Sequence, residues 1–180
     1  MGNVNITPSG QKNGLEQDRD CPAPVRMQVF LFKAPCLSPV MTSFGVMHAR
    51  TSLLVRLEDA AGCFGWGKIW CNFPESGGLH RASLLTENIA PLLWGQHSES
   101  LCDFSATLAN RLAVLTIQSG EYGPFAQALA GIDCALWDMA ARKAGLYIDS
   151  AIFLSSCFRS RNLLRKKPRR PSWVLSRHPG

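Results

Sequence analysis

Between Val25 and Gly145 the spacing of apolar residues changes once, from a period of two to a period near 3.6, and does not change back. A chain whose strands all precede its helices cannot build the alternating units of a parallel sheet. It belongs instead with α+β folds, in which helices cover one face of an antiparallel sheet. Val25, Met27, Val29 and Leu31 alternate with Arg26, Gln28, Phe30 and Phe32, and this predicts a first strand with one face on a core. Thr51 to Glu58 repeats the pattern with Leu53, Val55 and Leu57 inward. Asp59-Ala60-Ala61-Gly62 then has Asp first and Gly last, as a type I turn prefers. Cys63 to Trp70 closes the expected three-stranded antiparallel meander, and Gly65 and Gly67 leave room for something packed closely on it.

Lys33 to Arg50, between the first two strands, contains Pro35, Pro39 and Gly45 and reads as a long loop. Loops longer than about 12 residues inside a compact domain are usually functional or disordered. A Pro- and Gly-containing stretch, Cys71 to Gly78, leads into the helices. Leu84, Leu85, Ile89, Leu92 and Leu93 mark the first, which stops at Gly95. The second is expected from Ser100 to Gln118, with Ser100 and Asp103 spaced as a capping box and Phe104, Leu108, Leu112 and Leu115 on one stripe. The third starts at Gly123-Pro124, carries Phe125, Leu129, Ile132, Leu136 and Met139 on one face, and ends near Gly145. Ala128, Ala130, Gly131 and Ala135 make it slim enough to approach a neighbour closely.

The ends differ from this middle. Residues 1–24 are polar, rich in Gly, Asn, Gln and Asp, and read as a disordered leader before a domain spanning 25–146. The net charge of +6 belongs to the other end: up to Gly145 there are 11 Lys and Arg against 12 Asp and Glu, whereas Leu146 to Gly180 holds 8 against the single Asp149. Residues 147–180 therefore read as a divergent, disordered basic tail. Length also excludes a fold, since a (β/α)8 barrel needs at least about 200 residues and the chain has 180. Seven cysteines, all single and none in a C-x-x-C pair, argue against a disulfide framework or a zinc site and for a reducing, cytoplasmic setting. No run of about 18 apolar residues suggests a membrane span.

Catalytic constellations are not found by spacing. There is no phosphate loop, no H-E-x-x-H and no nucleophile elbow, and His48, His80, His97 and His178 are far apart. Asp133 and Asp138 are separated by about 140° around a helix, so they do not share a face. Asp138 is better read as the partner of Arg142 in an i,i+4 ion pair than as an acid catalyst. His80 and Arg81 read as solvated or capping side chains, and Phe44, Trp66, Trp70 and Phe73 as core or loop anchors.

Ala130-Gly131-Ile132-Asp133-Cys134-Ala135-Leu136-Trp137-Asp138-Met139, followed by Ala141-Arg142-Lys143-Ala144-Gly145-Leu146, resembles the helix signature of the mandelate racemase/muconate lactonizing enzyme family of the enolase superfamily. Leu53 to Glu58, Gly62 to Gly67, Leu84-Leu85 and Ile89 to Gln96 resemble that family's amino-terminal capping domain in the same order. The family's Gly-Trp-Gly-Glu stands here as Gly65-Trp66-Gly67-Lys68, with the charge reversed. The resemblance implies a capping domain of three strands and a three-helix bundle, with Gly131, Asp133, Trp137 and Asp138 in the signature helix. It implies that Ser43, Phe44 and His48 in the first long loop, and Trp70, Asn72 and Phe73 after the third strand, close over a substrate. The family's chemistry is proton abstraction next to a carboxylate, with Mg²⁺ stabilising the enediolate, and its bases and metal ligands stand on a following barrel.

Only 34 residues follow Leu146, so the expectation is a truncated cap with no catalytic residue, metal ligand or cofactor of its own. Its expected partners are a carboxylate substrate in the complete enzyme and a second copy or a barrel-containing homologue. The alternative is a non-enzymatic interaction module whose Arg165 to Arg170 cluster binds nucleic acid or another polyanion. A cap without its barrel is also expected to expose apolar surface, including that of the small-residue third helix, and to aggregate.

Overall fold

The computed structural model of the chain describes residues 2–6, 23–43, 45–96, 98 and 100–149. Its sheet is antiparallel with four strands in the order β1-β2-β3-β4, and helices cover one face. The meander expected from the sequence supplies three of them: β2 (Pro24–Thr42), β3 (Gly45–Asp59) and β4 (Phe64–Ile69). Met27, Val29, Leu53, Val55, Leu57 and Ile69 are all buried on the helix side, as period two requires. The Asp59 turn is also as expected: the Asp59 carboxylate accepts from the backbone N–H groups of Ala61 and Cys63, and Gly62 takes a φ of 81°.

Two expectations about loops are corrected. β1 (Gly2–Ile6) lies inside the supposed leader and pairs with β2, from Gly2 opposite Leu31 to Ile6 opposite Met27. Its alternation is only Val4 and Ile6, because an edge strand can rest on the free N–H and C=O groups of its neighbour more than on a hydrophobic pattern. Residues 7–22 of the leader, Phe44, His97 and residues 150–180 of the tail lie outside the described residues. The second correction concerns Lys33 to Arg50, which is a continuation of the β2–β3 hairpin rather than a loop. Pairing runs to Pro35 opposite Ala49, shifts register, and resumes from Val40 opposite Met47 to Thr42 opposite Gly45. Pro35 and Pro39 flank the shift, where a residue without an N–H costs the ladder least. Gly45 turns the tip with a φ of 128°, and the Thr42 hydroxyl donates to its carbonyl at 2.7 Å.

The first helical stretch is continuous from Gly77 to Leu93 but changes gauge. α1 (Gly77–Ser83) passes into a π-helical turn, Leu84–Ile89, and then into α2 (Ala90–Leu93). Pro91 offers no N–H and its ring crowds the carbonyl four residues back, so the wider turn before it relieves both problems. α3 (Leu101–Ser119) is capped by Ser100, whose hydroxyl accepts from the Asp103 N–H at 3.1 Å, and closed by Gly120. Its buried stripe is Leu101, Phe104, Leu108 and Leu112; Leu115 has drifted off it and is exposed. α4 (Tyr122–Lys143) buries Phe125, Ile132, Leu136 and Met139 as expected. It ends where the Leu146 N–H reaches back to the Ala141 carbonyl, with Gly145 at a φ of 67°.

The closest packing in the domain is α4 on β4. A Cβ placed on Gly67 would lie 1.8 Å from the Gly131 carbonyl oxygen, one on Gly65 2.1 Å from that of Ala135, and one on Gly131 2.4 Å from Ile69 Cγ1. Two glycines on the strand and one on the helix let the two backbones touch. The small-residue face of α4 is therefore covered by the domain's own sheet, which corrects the expectation that it would be left bare.

Candidate functional site

On the core face of β2 the sequence Met27, Val29, Leu31 ends in Lys33, which pairs with Thr51 just as Leu31 pairs with Leu53. A recess of about 540 Å³ opens there, lined by Leu31, Lys33 and Thr51 from the hairpin and by Pro74, Glu75, Ser76 and Leu79 from the far side. The Lys33 ammonium donates to the Glu75 carboxylate and so joins the hairpin to the connection 70–76. That hydrogen bond first, and the lysine's charge second, hold the Glu75 carboxyl below its ordinary range; burial opposes the shift and His48 adds slightly to it.

The connection is held from behind by groups that do not face the recess. Cys71 is buried, its thiol donates to the Thr51 carbonyl at 3.6 Å, and burial pushes its pKa up. Gly77 donates to the Pro74 carbonyl at 2.7 Å. Arg81, expected to be solvated or capping, is only 4% exposed: its Nη1 donates to the Gly77 carbonyl at 2.9 Å and its Nε to Gln127 Oε1 at 2.6 Å. Burial pulls its pKa below the usual guanidinium value. The cation thus binds the start of α1 to α4. Gly78 has no room for a side chain, since a Cβ there would fall 2.5 Å from Thr51 Cγ2 and 2.8 Å from Leu31 Cδ1. The glycine pair at 77–78 is what lets α1 come up against the recess floor.

Of the lid residues expected from the sequence, Ser43 sits at the exposed hairpin tip and His48 lies exposed on β3 opposite the register shift. Trp70 is half exposed at the start of the connection, and Asn72 and Phe73 are partly buried within it. None of these lines the recess. The residues that do, Lys33, Thr51, Glu75 and Ser76, were missed because Lys33 was assigned to a loop. The signal was present: continuing the period of two past Leu31 puts a lysine on a core face, where a charge marks the edge of a cleft.

The four signature residues of α4 hold the scaffold together. Gly131 makes the contact with Ile69, and Trp137 packs against the core. Asp133 accepts from the Ser105 hydroxyl and ties α4 to α3. Asp138 pairs with Arg142 at 2.9 Å, as its spacing predicted, and also accepts from the backbone N–H of Trp66 at 2.9 Å. It thereby satisfies a donor on the outer edge of β4.

Among the described residues no group of three or more His, Cys, Asp or Glu could hold a metal ion, so these residues do not fit a magnesium site. No helix among them is long and apolar enough to cross a membrane.

A four-stranded sheet backed by helices, with a projecting hairpin and a braced connection meeting at one recess, defines an α+β domain. The description of the mandelate racemase / muconate lactonizing enzyme N-terminal domain matches residues 26–151, and the chain belongs to that family. It is similar to a mandelate racemase/muconate lactonizing enzyme from Bordetella bronchiseptica RB50, at 43% identity and a TM-score of 0.61 over 69% of this chain and 31% of that one. L-talarate dehydratase from Polaromonas sp. JS666, solved with Mg and L-glucarate, is 25% identical with a TM-score of 0.56 over 68% of this chain and 32% of that one. A racemase from Streptomyces coelicolor A3(2) with bound magnesium shares the fold at 24% identity and a TM-score of 0.57, over 66% of this chain and 32% of that one. The chain spans about a third of the length of these solved relatives. No curated protein matches it.

Proposed function

We propose that this domain is the capping lid of a magnesium-dependent enzyme that abstracts a proton next to a carboxylate, as racemases, dehydratases and lactonizing enzymes of its family do. The observation that carries the reading is the meeting of the hairpin and the connection 70–76 across one recess, with the connection braced by Cys71 and Arg81. Such a lid excludes water and selects the substrate, while the chemistry belongs to another part of the enzyme. The magnesium and L-glucarate held by relatives suggest a small carboxylate substrate here. The partner is a catalytic barrel, joined to the lid in one chain or brought by a barrel-containing homologue, and a second copy of the lid is a natural further contact. Cys36, Cys63, Cys71, Cys102 and Cys134 are free thiols, which suits the reducing cytoplasm.

Two measurements test this. The purified 180-residue chain, given Mg²⁺ and a panel of 2-hydroxy and sugar acids in D₂O, is expected to exchange no α-proton; clear exchange or turnover overturns the division of labour. A hybrid in which residues 26–146 replace the equivalent segment of the Bordetella relative is expected to keep the activity measured for that relative. A folded but inactive hybrid overturns the lid reading.

A further inference from the structure

We propose that Lys33 is the specificity-determining cation of this lid: it takes the distal carboxylate of a dicarboxylate substrate in the recess, and Glu75 occupies its place while the lid is free. The inference rests on the lid reading above and adds to it that one carboxylate of the substrate faces the catalytic partner and the far end faces the lid.

Three observations converge on it. The first is position. Met27, Val29 and Leu31 precede Lys33 on the same face of β2, so the ammonium stands where an apolar floor ends and solvent begins. The second is the character of the recess. Its volume of about 540 Å³ suits a small ligand, its apolar lining is Leu31, Pro74 and the 67% exposed Leu79, and its polar lining is Lys33, Thr51, Glu75 and Ser76. A mostly apolar hollow with a few convergent polar groups is what a small-molecule site looks like. The third is charge. From Lys33 to Arg50 the outer hairpin contains Lys33 and Arg50 and no Asp or Glu, whereas Glu58 and Asp59 stand at its other end, where Arg56 pairs with Glu58. The acid in the recess comes from the opposite wall, and it lies directly on Lys33.

The side chains of Lys33 and Glu75 are 53% and 76% exposed. Exposed pairs of this kind contribute little and are readily exchanged for another anion. Nor is the pair needed to hold the connection, which Cys71, Gly77 and Arg81 already fix. Glu75 therefore acts as a tethered stand-in: a carboxylate that keeps the ammonium partnered and yields to a ligand carboxylate that also covers Leu31 and Leu79. A carboxylate is the group matched to this site, because the lysine already holds one.

The test titrates the full chain, dilute and isotopically labelled, with succinate and with butane-1,4-diol. Succinate is expected to shift the amide signals of Lys33, Thr51 and Ser76 saturably, and the diol to leave them unmoved. Lys33→Met should abolish the succinate response while the core signals of Val29, Val55 and Leu136 stay in place. Glu75→Gln removes the competitor and should tighten succinate binding about fivefold. Equal responses to succinate and diol, a Lys33→Met chain that binds as wild type does, or a Glu75→Gln chain that binds no tighter would each overturn the proposal. The titration needs no barrel, so it stands or falls separately from the lid reading. An inactive hybrid with intact succinate binding removes the lid role alone. An active hybrid whose preference for dicarboxylates survives Lys33→Met removes the role of Lys33 alone.

Discussion

A methyl group added at Gly67 would fall 1.8 Å from a backbone oxygen of Gly131, and backbone cannot swing aside as a flexible side chain can. Gly67→Ala is therefore expected to cost about 3 kcal/mol in urea unfolding, whereas Gly123→Ala, with no neighbour within 4 Å of the added carbon, should leave stability within about 0.5 kcal/mol of wild type. The glycines on β4 were legible in the sequence as a place for close packing; that α4 supplies the partner was not, because nothing local records which helix returns to which strand. Glu75 shows the same divide. Its residue type was in plain view, but its partner is 42 positions away and on another element. Because Lys33 holds the folded pKa of Glu75 below the unfolded value, the contribution of the pair is present above the ordinary glutamate range and disappears as pH falls through the depressed value. An NMR titration should find Glu75 ionising below an ordinary glutamate, and Lys33→Met should return it to normal; an unchanged midpoint in that variant would show that another group sets it.

Among the elements, those with a strong period and a chemical stop signal were read nearly to the residue. Ser100 caps α3, Gly145 ends α4, and Asp59 with Gly62 makes the turn before β4. The elements that escaped are those whose stability comes from a neighbour. β1 has two apolar residues and rests on the free edge of β2, while the outer half of the hairpin carries prolines and exposed side chains such as Leu37 and Met41 that look like a loop. Asp138 was legible only by half. The i,i+4 spacing gave Arg142, but the N–H of Trp66 belongs to a strand edge that exists only after folding. Asp138→Ala removes the acceptor for both donors, and its expected cost is about 1–2 kcal/mol. Hydrogen exchange should localise the damage, with the Trp66 amide losing protection before those of Val55 and Leu57. Uniform loss across the sheet would mean that Asp138 does not act through the edge of β4.

For the whole molecule, the net charge of +6 says little about the folded domain, because it comes from residues 146–180. Among the described residues Val114 and Ile117 near the end of α3 and Tyr122 at the start of α4 are exposed apolar side chains, while Leu146 and Tyr147 are exposed at the other end of α4. Contiguous exposed apolar surface promotes association. The chain alone is expected to self-associate as its concentration rises, which light scattering after size exclusion would register, and Ile117→Lys should shift the equilibrium toward monomer. A mass that stays monomeric at every concentration would contradict this. The recess is formed by this domain's own residues, with Lys33 on one wall and the braced connection on the other.

That recess makes the hybrid with the Bordetella relative the most direct measurement of the central claim. If residues 26–146 are a lid, the activity measured for the intact relative should survive the exchange of caps, with its selectivity among substrates altered. A hybrid that folds and shows none of the intact relative's activity would contradict the account.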